Sequence, residues 1–203
     1  MISSRALAIA GALGTALLSA SAARAATLYA DIAAYGTFTY SLTTDDRNSG
    51  AFVGTGGDPS QTYHFATPLT LDAPYFIHVE VDGAGQQGFL GSFRVSDGNG
   101  ASMLLTNTQD WGMASARWGT TKVLHYDAPV SLGFNGAAPL GFRDTIDHQA
   151  QVLWTSDSDC GDGCKLYFSA MVMACTQPVP EPSQALLLTA GLLALGGALR
   201  LQQ

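Results

Sequence analysis

Charge is scarce in this chain: Asp, Glu, Lys and Arg make up only 12% of its 203 residues. Glutamate is nearly missing, with Glu80 standing alone between positions 26 and 177. Cysteine occurs three times and histidine four times. Each shortage excludes a kind of chemistry. One Glu and Asp residues scattered through turn-like segments do not supply the two placed carboxylates of glycoside hydrolysis. No G-x-S-x-G nucleophile elbow occurs. His64, His78, His125 and His148 share no metal spacing of the H-E-x-x-H type. Three cysteines without a nearby histidine do not complete a four-ligand zinc set. We therefore assign no catalytic residue, no metal and no cofactor, and read the chain as a non-enzyme.

Helical patterning is missing as well. No interior stretch sustains a 3.6-residue apolar period with caps, and 23 glycines suit a loop-rich β protein better than a bundle. Between Ala26 and Gln177 there are six basic residues against fifteen acidic ones, a balance near −9. Such a surface repels phosphate backbones, so nucleic acid is not an expected partner.

The apolar residues concentrate at the two ends. Arg5, the apolar run Ala6 to Leu18 and the A-x-A site Ala23-Arg24-Ala25 read as a signal peptide over 1–25, cut by signal peptidase to leave Ala26 first. Ala20-Ser21-Ala22 is a second cleavage site of the same type. Export in turn permits disulfides. At the other end, Pro178, Pro180 and Pro182 alternate through an extended linker, 176–182. Ala185 to Leu199 follows, 15 residues that are apolar or Gly except Thr189, and then Arg200. A span needs about 20 apolar residues, which recruits the flanking positions into a transmembrane helix over 183–203.

Val179-Pro180-Glu181-Pro182, an apolar helix and the terminal basic Arg200 together resemble the PEP-CTERM sorting signal. The resemblance covers about the last 26 residues. It implies export by a Gram-negative bacterium that makes extracellular polysaccharide, and recognition and cleavage by an exosortase. The chain would be anchored transiently in the inner membrane, then delivered to the cell surface or extracellular matrix. The family usually ends in a cluster of arginines; here Arg200 is the only basic residue of the tail.

The interior, 26–175, reads as an all-β domain. Tyr35 to Leu42, Tyr75 to Val81, Ser92 to Ser96, Met103 to Thr106, Ala150 to Thr155 and Leu166 to Met173 carry strand-like composition between turn signals. In the second of these, Ile77, Val79 and Val81 share one face and Phe76, His78 and Glu80 the other. Many short strands at close spacing predict a β-sandwich or barrel. From Gly88 onward, Leu104 to Thr108 with Asp110-Trp111, Gly141-Phe142-Arg143, Ala150 to Trp154, the Cys pair and Tyr167-Phe168-Ser169 resemble a domain common among PEP-CTERM proteins. That pattern is similar to galactose-binding-like jelly rolls, which implies a jelly-roll sandwich and sugar binding; Val152-Leu153-Trp154 departs from its usual tryptophan pair.

Two further clusters carry chemistry. Asp157-Ser158-Asp159-Cys160-Gly161-Asp162-Gly163-Cys164 is close to a calcium loop, but its third Asp is one position late and no bidentate Glu follows. A solvated hairpin stapled by Cys160–Cys164 fits better and makes Cys175 the odd cysteine, which stays free or pairs with Cys164 in place of Cys160. Asp144 to His148 is the only acid–imidazole cluster and reads as a surface turn. Trp154, inside a strand, reads as core; Trp111 and Trp118 are the candidate glycan contacts, flanked by Asp110 and Arg117. The expected function is a non-catalytic surface or matrix protein in contact with polysaccharide. A carbohydrate-active enzyme using Asp or Glu carboxylates is the alternative.

Overall fold

A computed structural model describes residues 25–83, 88–98, 100–114, 117–119, 125–155 and 164–174. The expected signal peptide, apart from Ala25, and the expected linker and sorting helix lie outside these residues. The described residues form twelve strands: β1 Ala25–Tyr35, β2 Thr37–Thr43, β3 Ala51–Gly56, β4 Tyr63–Thr70, β5 Pro74–Gly83, β6 Gly88–Ser96, β7 Ala101–Leu105, β8 Trp111–Ala114, β9 Tyr126–Asp127, β10 Val130–Phe134, β11 Gln151–Trp154 and β12 Cys164–Met173. Among the described residues there is no helix, and so none long and apolar enough to cross a membrane.

The strands form two antiparallel sheets, an all-β arrangement consistent with a β-sandwich. Sheet A runs β10-β11-β6-β1-β4, with β7 also on β6; sheet B runs β3-β2-β5-β12-β8-β9. The two-residue period decides which side chains are buried. In β1, Ala26, Leu28, Ala30, Ile32 and Ala34 point inward, as do Phe38, Tyr40 and Leu42 in β2. Ile77, Val79 and Val81 of β5 are buried as their alternation predicts, and Phe168 of β12 joins them. Aromatic contacts tie the sheets together: Phe89 lies 5.3 Å from Phe168, and Tyr40 lies 5.3 Å from Phe65. Edge-to-face and tilted pairs of this kind add to the area they bury. Burial without a hydrogen-bond partner pushes the Tyr40 phenol well above its ordinary pKa.

One side of the structure closes where β3 meets β4. A Cβ on Gly54 would sit 2.1 Å from the Phe65 ring, so only glycine lets this edge approach. The opposite side is spanned by the long connection between β10 and β11. Leu140, Ile146 and Ala150 from this connection cover Ala33, Leu90 and Val152, a second small core on the outer face of sheet A. Ala33 is therefore buried although Asp31 and Tyr35, its neighbours along β1 on that face, are only partly covered.

The described chain begins and ends on the same rim. Ala25 pairs with Thr70, and the Asp72 amide donates to the Ala174 carbonyl at 2.7 Å. Only the turn at residues 71–73 separates the two contacts.

Candidate functional site

Residues facing each other on neighbouring antiparallel strands share a face, so register builds the outer surface of sheet A row by row. One row runs His64, Asp31, Ser92, Leu105 across β4, β1, β6 and β7; the next runs Ala66, Tyr29, Arg94, Met103. The loop at residues 142–148 stands beside these rows as a wall. Together they enclose an open cleft of about 540 Å³, with Tyr29, Asp31, Ser92, Arg94 and Met103 as floor. Phe142, Asp144, Thr145, Ile146, Asp147 and His148 form the wall.

The wall is fixed by its own backbone and by two side chains. The Asn135 Nδ2 donates to the carbonyls of Arg143 and Ile146 at 2.8 and 2.7 Å, and its Oδ1 accepts from the Arg143 amide at 2.8 Å. The Arg143 guanidinium reaches across to the β3–β4 turn, donating to the carbonyls of Pro59 and Ser60 as well as to Leu140. That turn is itself braced: the Ser60 hydroxyl and amide donate to Asp58, which holds the Asp58 carboxyl below its ordinary pKa. A rigid wall over a rigid sheet preorganises a site.

Aromatic faces and polar groups alternate in the cleft. The Arg94 guanidinium carbon lies 4.7 Å above the Tyr29 ring, a cation–π contact. His64 Nδ1 meets Asp31 Oδ1 at 2.6 Å on the exposed surface. Asp147 accepts from the Gln149 amide and lies 3.5 Å from His148, while Asp144 makes no hydrogen bond or ion pair among the described residues. Phe142 is 66% exposed, and Tyr29 and Met103 are open as well. Guanidinium and carboxylate groups that can grip hydroxyls beside apolar faces are what a small polar ligand needs.

The outer face of sheet B is covered instead. His78 projects outward from β5, as its alternation predicts, yet is fully buried. It stacks on Trp118 at 3.9 Å, and its Nε2 meets Asp46 Oδ1 at 2.9 Å. The same Asp46 oxygen accepts from the Ser169 hydroxyl at 2.6 Å, and Tyr126 also bonds this carboxylate while accepting from Trp118 Nε1 at 2.9 Å. Burial alone would raise the Asp46 carboxyl; bonds from His78, Ser169 and Tyr126 outweigh it and hold it below the usual range. Burial, with the Asp46 charge adding to it, pushes the Tyr126 phenol up to about 12. Serine, aspartate and histidine meet here, but not as a hydrolytic triad. The hydroxyl donates to the carboxylate rather than to the imidazole, so nothing activates it as a nucleophile. The cluster is a clamp that holds the segment around Asp46 onto the sheet.

The predicted site residues fare unequally. Trp111 and Trp118, chosen as glycan contacts, are only 3% and 4% exposed and offer no face to a sugar. Trp111 packs between Phe89 and Phe93 with its Nε1 on the Leu105 carbonyl; Trp118 lies under the Asp46 clamp. Trp111 buries its ring between the sheets and Trp118 buries its own on the outer face of sheet B against His78, and in both places burial outweighs the pull of the polar neighbours. Trp154 is buried too, against Phe168. Val179, Pro180, Glu181, Pro182, Arg200, Cys160 and the calcium-like loop lie outside the described residues. Cys164 opens β12 opposite Gly83. Among the described residues no three His, Cys, Asp or Glu side chains group closely enough to hold a metal ion. Asp144 to His148, read as a surface turn, lines the cleft. Tyr29, Asp31 and Arg94 belong to no local motif, and only strand register brings them together. No protein-family model, curated protein or solved structure matches the chain.

Proposed function

We propose that this is an exported, non-catalytic surface or matrix protein, sorted through its PEP-CTERM-like tail, that contacts extracellular polysaccharide through the cleft on sheet A. The finer fold belongs to the same proposal: a jelly-roll, galactose-binding-like sandwich. The observation that carries the reading is the exposed pair of rings, Tyr29 and Phe142, set among Asp31, Arg94 and Asp144 in one cleft. Rings pack on the C–H faces of a pyranose while the ionic groups accept and donate to its hydroxyls. The common rim of Ala25 and Ala174 supports the export part, because a leader and a tail held in one membrane would leave the domain unstrained. A Cys160–Cys164 disulfide, permitted by export, would staple the turn before β12.

Two measurements test this. Mass spectrometry of the protein from its host should find a mature start at Ala26, an end near Val179 to Pro182 and Cys160 joined to Cys164. Peptides spanning Ala185 to Leu199 in the surface pool would refute the sorting claim. A pull-down of the full chain with the host polysaccharide should succeed for wild type and fail for the folded Tyr29→Ala, Phe142→Ala double variant. Equal retention by both removes the cleft from the proposal. A carbohydrate-active enzyme is the second reading, favoured by three aspartates, Asp31, Asp144 and Asp147, on that cleft. Release of reducing ends from the polysaccharide, abolished by Asp31→Asn or Asp144→Asn, decides for it.

A further inference from the structure

The charge of the cleft narrows its ligand. Resting on the reading that the cleft holds a polysaccharide, we propose that it selects a basic one, whose sugar carries a free, protonated amino group. Asp31, Asp144 and Asp147 face the cleft against one cation, Arg94, so counting histidine as neutral the lining is −2. The single guanidinium is spread over the Tyr29 ring and shares its part of the floor with Asp31 one row away, so it offers an incoming anion little uncompensated charge. Asp144 stands on the wall with neither hydrogen bond nor ion pair among the described residues, free to receive an ammonium group. Its neighbour Phe142 presents an exposed ring two positions away, so one sugar can lie against the ring and place its amine at the carboxylate. The balance near −9 between Ala26 and Gln177 adds a long-range field of the same sign, attracting polycations and repelling uronate or phosphate polymers.

The test compares three probes against the full chain in detergent micelles at about pH 7, above the ordinary imidazole range: a glucosamine hexamer, its fully N-acetylated counterpart, and an oligogalacturonate of equal length. The glucosamine hexamer should bind about tenfold more tightly than the acetylated one at low ionic strength, and the uronate should not bind. The preference should shrink at about 0.5 M salt, since exposed charges are screened there. Asp144→Asn should remove most of it with the fold intact by circular dichroism. Asp127→Asn, which deletes a carboxylate on β9 of the other sheet, should leave it unchanged. Equal binding of the two hexamers, tighter binding of the uronate, or equal losses from the two variants would overturn the charge selection and leave the polysaccharide contact standing. Failure of all three probes, together with failure to retain the host polysaccharide, would overturn both.

Discussion

Two Asp–His pairs, one on the outer face of each sheet, show what cover does to the same chemistry. Asp31 and His64 meet at 2.6 Å on the open face of sheet A, with the imidazole 57% exposed. Asp46 and His78 meet at 2.9 Å on sheet B, with the imidazole fully buried under Trp118. In water such a pair contributes little, because solvent screens both partners and competes for their hydrogen bonds. Under cover the same groups become obligatory partners, because each donor left unpaired would lose its water without replacement. Sheet B uses its pair to hold the fold together. Sheet A leaves its pair on the open surface, with Asp31 on the floor of the cleft proposed to bind a ligand.

Removing the carboxylates separates the two roles most sharply. Asp46→Ala strands the donors of His78, Ser169 and Tyr126 and should cost about 3 kcal/mol in urea unfolding. Asp31→Ala should cost less than about 1 kcal/mol. Similar losses from both would erase the distinction drawn here.

Next in size is the wall of the cleft. Asn135→Asp replaces an Nδ2 donor with a carboxylate oxygen facing the carbonyls of Arg143 and Ile146. The repulsion should cost about 2 kcal/mol and loosen residues 142–148, so affinity for glycan falls along with stability. An Asn135→Asp variant with unchanged stability and binding would show that this brace is idle.

Acid provides a gentler probe. The Asp46 carboxyl sits below its ordinary value of 3.8 in the folded protein, so the unfolded chain takes up its proton first as pH falls. Its contribution is complete above about pH 4 and disappears as pH drops through the lowered folded value. Asp46→Asn should flatten the stability profile in that window. An unaltered acid limb in the variant would contradict the assigned network.

How much of this was readable beforehand follows from how local each signal is. β5 alternates cleanly, so its inner face follows from the two-residue period alone, whereas Leu166 to Met173 of β12 is nearly all apolar and is buried on both faces from Leu166 to Ala170. β1 was hidden by its composition: Ala25, Ala26, Ala30, Ala33 and Ala34 next to an A-x-A site look like processing sequence rather than a central strand. β3 was hidden by Gly54 and Gly56, which are there to admit Phe65, Tyr63 and Phe38. The clamp joins Asp46 to Ser169 across 123 residues, and Asp31 to His64 spans 33, distances at which no short motif can speak. The cleft left one local trace, Asp144 to His148, whose meaning depended on the strand rows beneath it. The tryptophans show the reverse: polar neighbours in sequence suggest exposure, but Trp111 packs against the facing sheet and Trp118 stacks on His78 outside sheet B.

Hydrogen exchange with and without the glycan separates the two faces directly. Exchange should slow on binding at the amides of 142–148, with the segments around Asp46 and Trp118 unchanged. Protection confined to the segments around Asp46 and Trp118, with 142–148 exchanging as before, would contradict it.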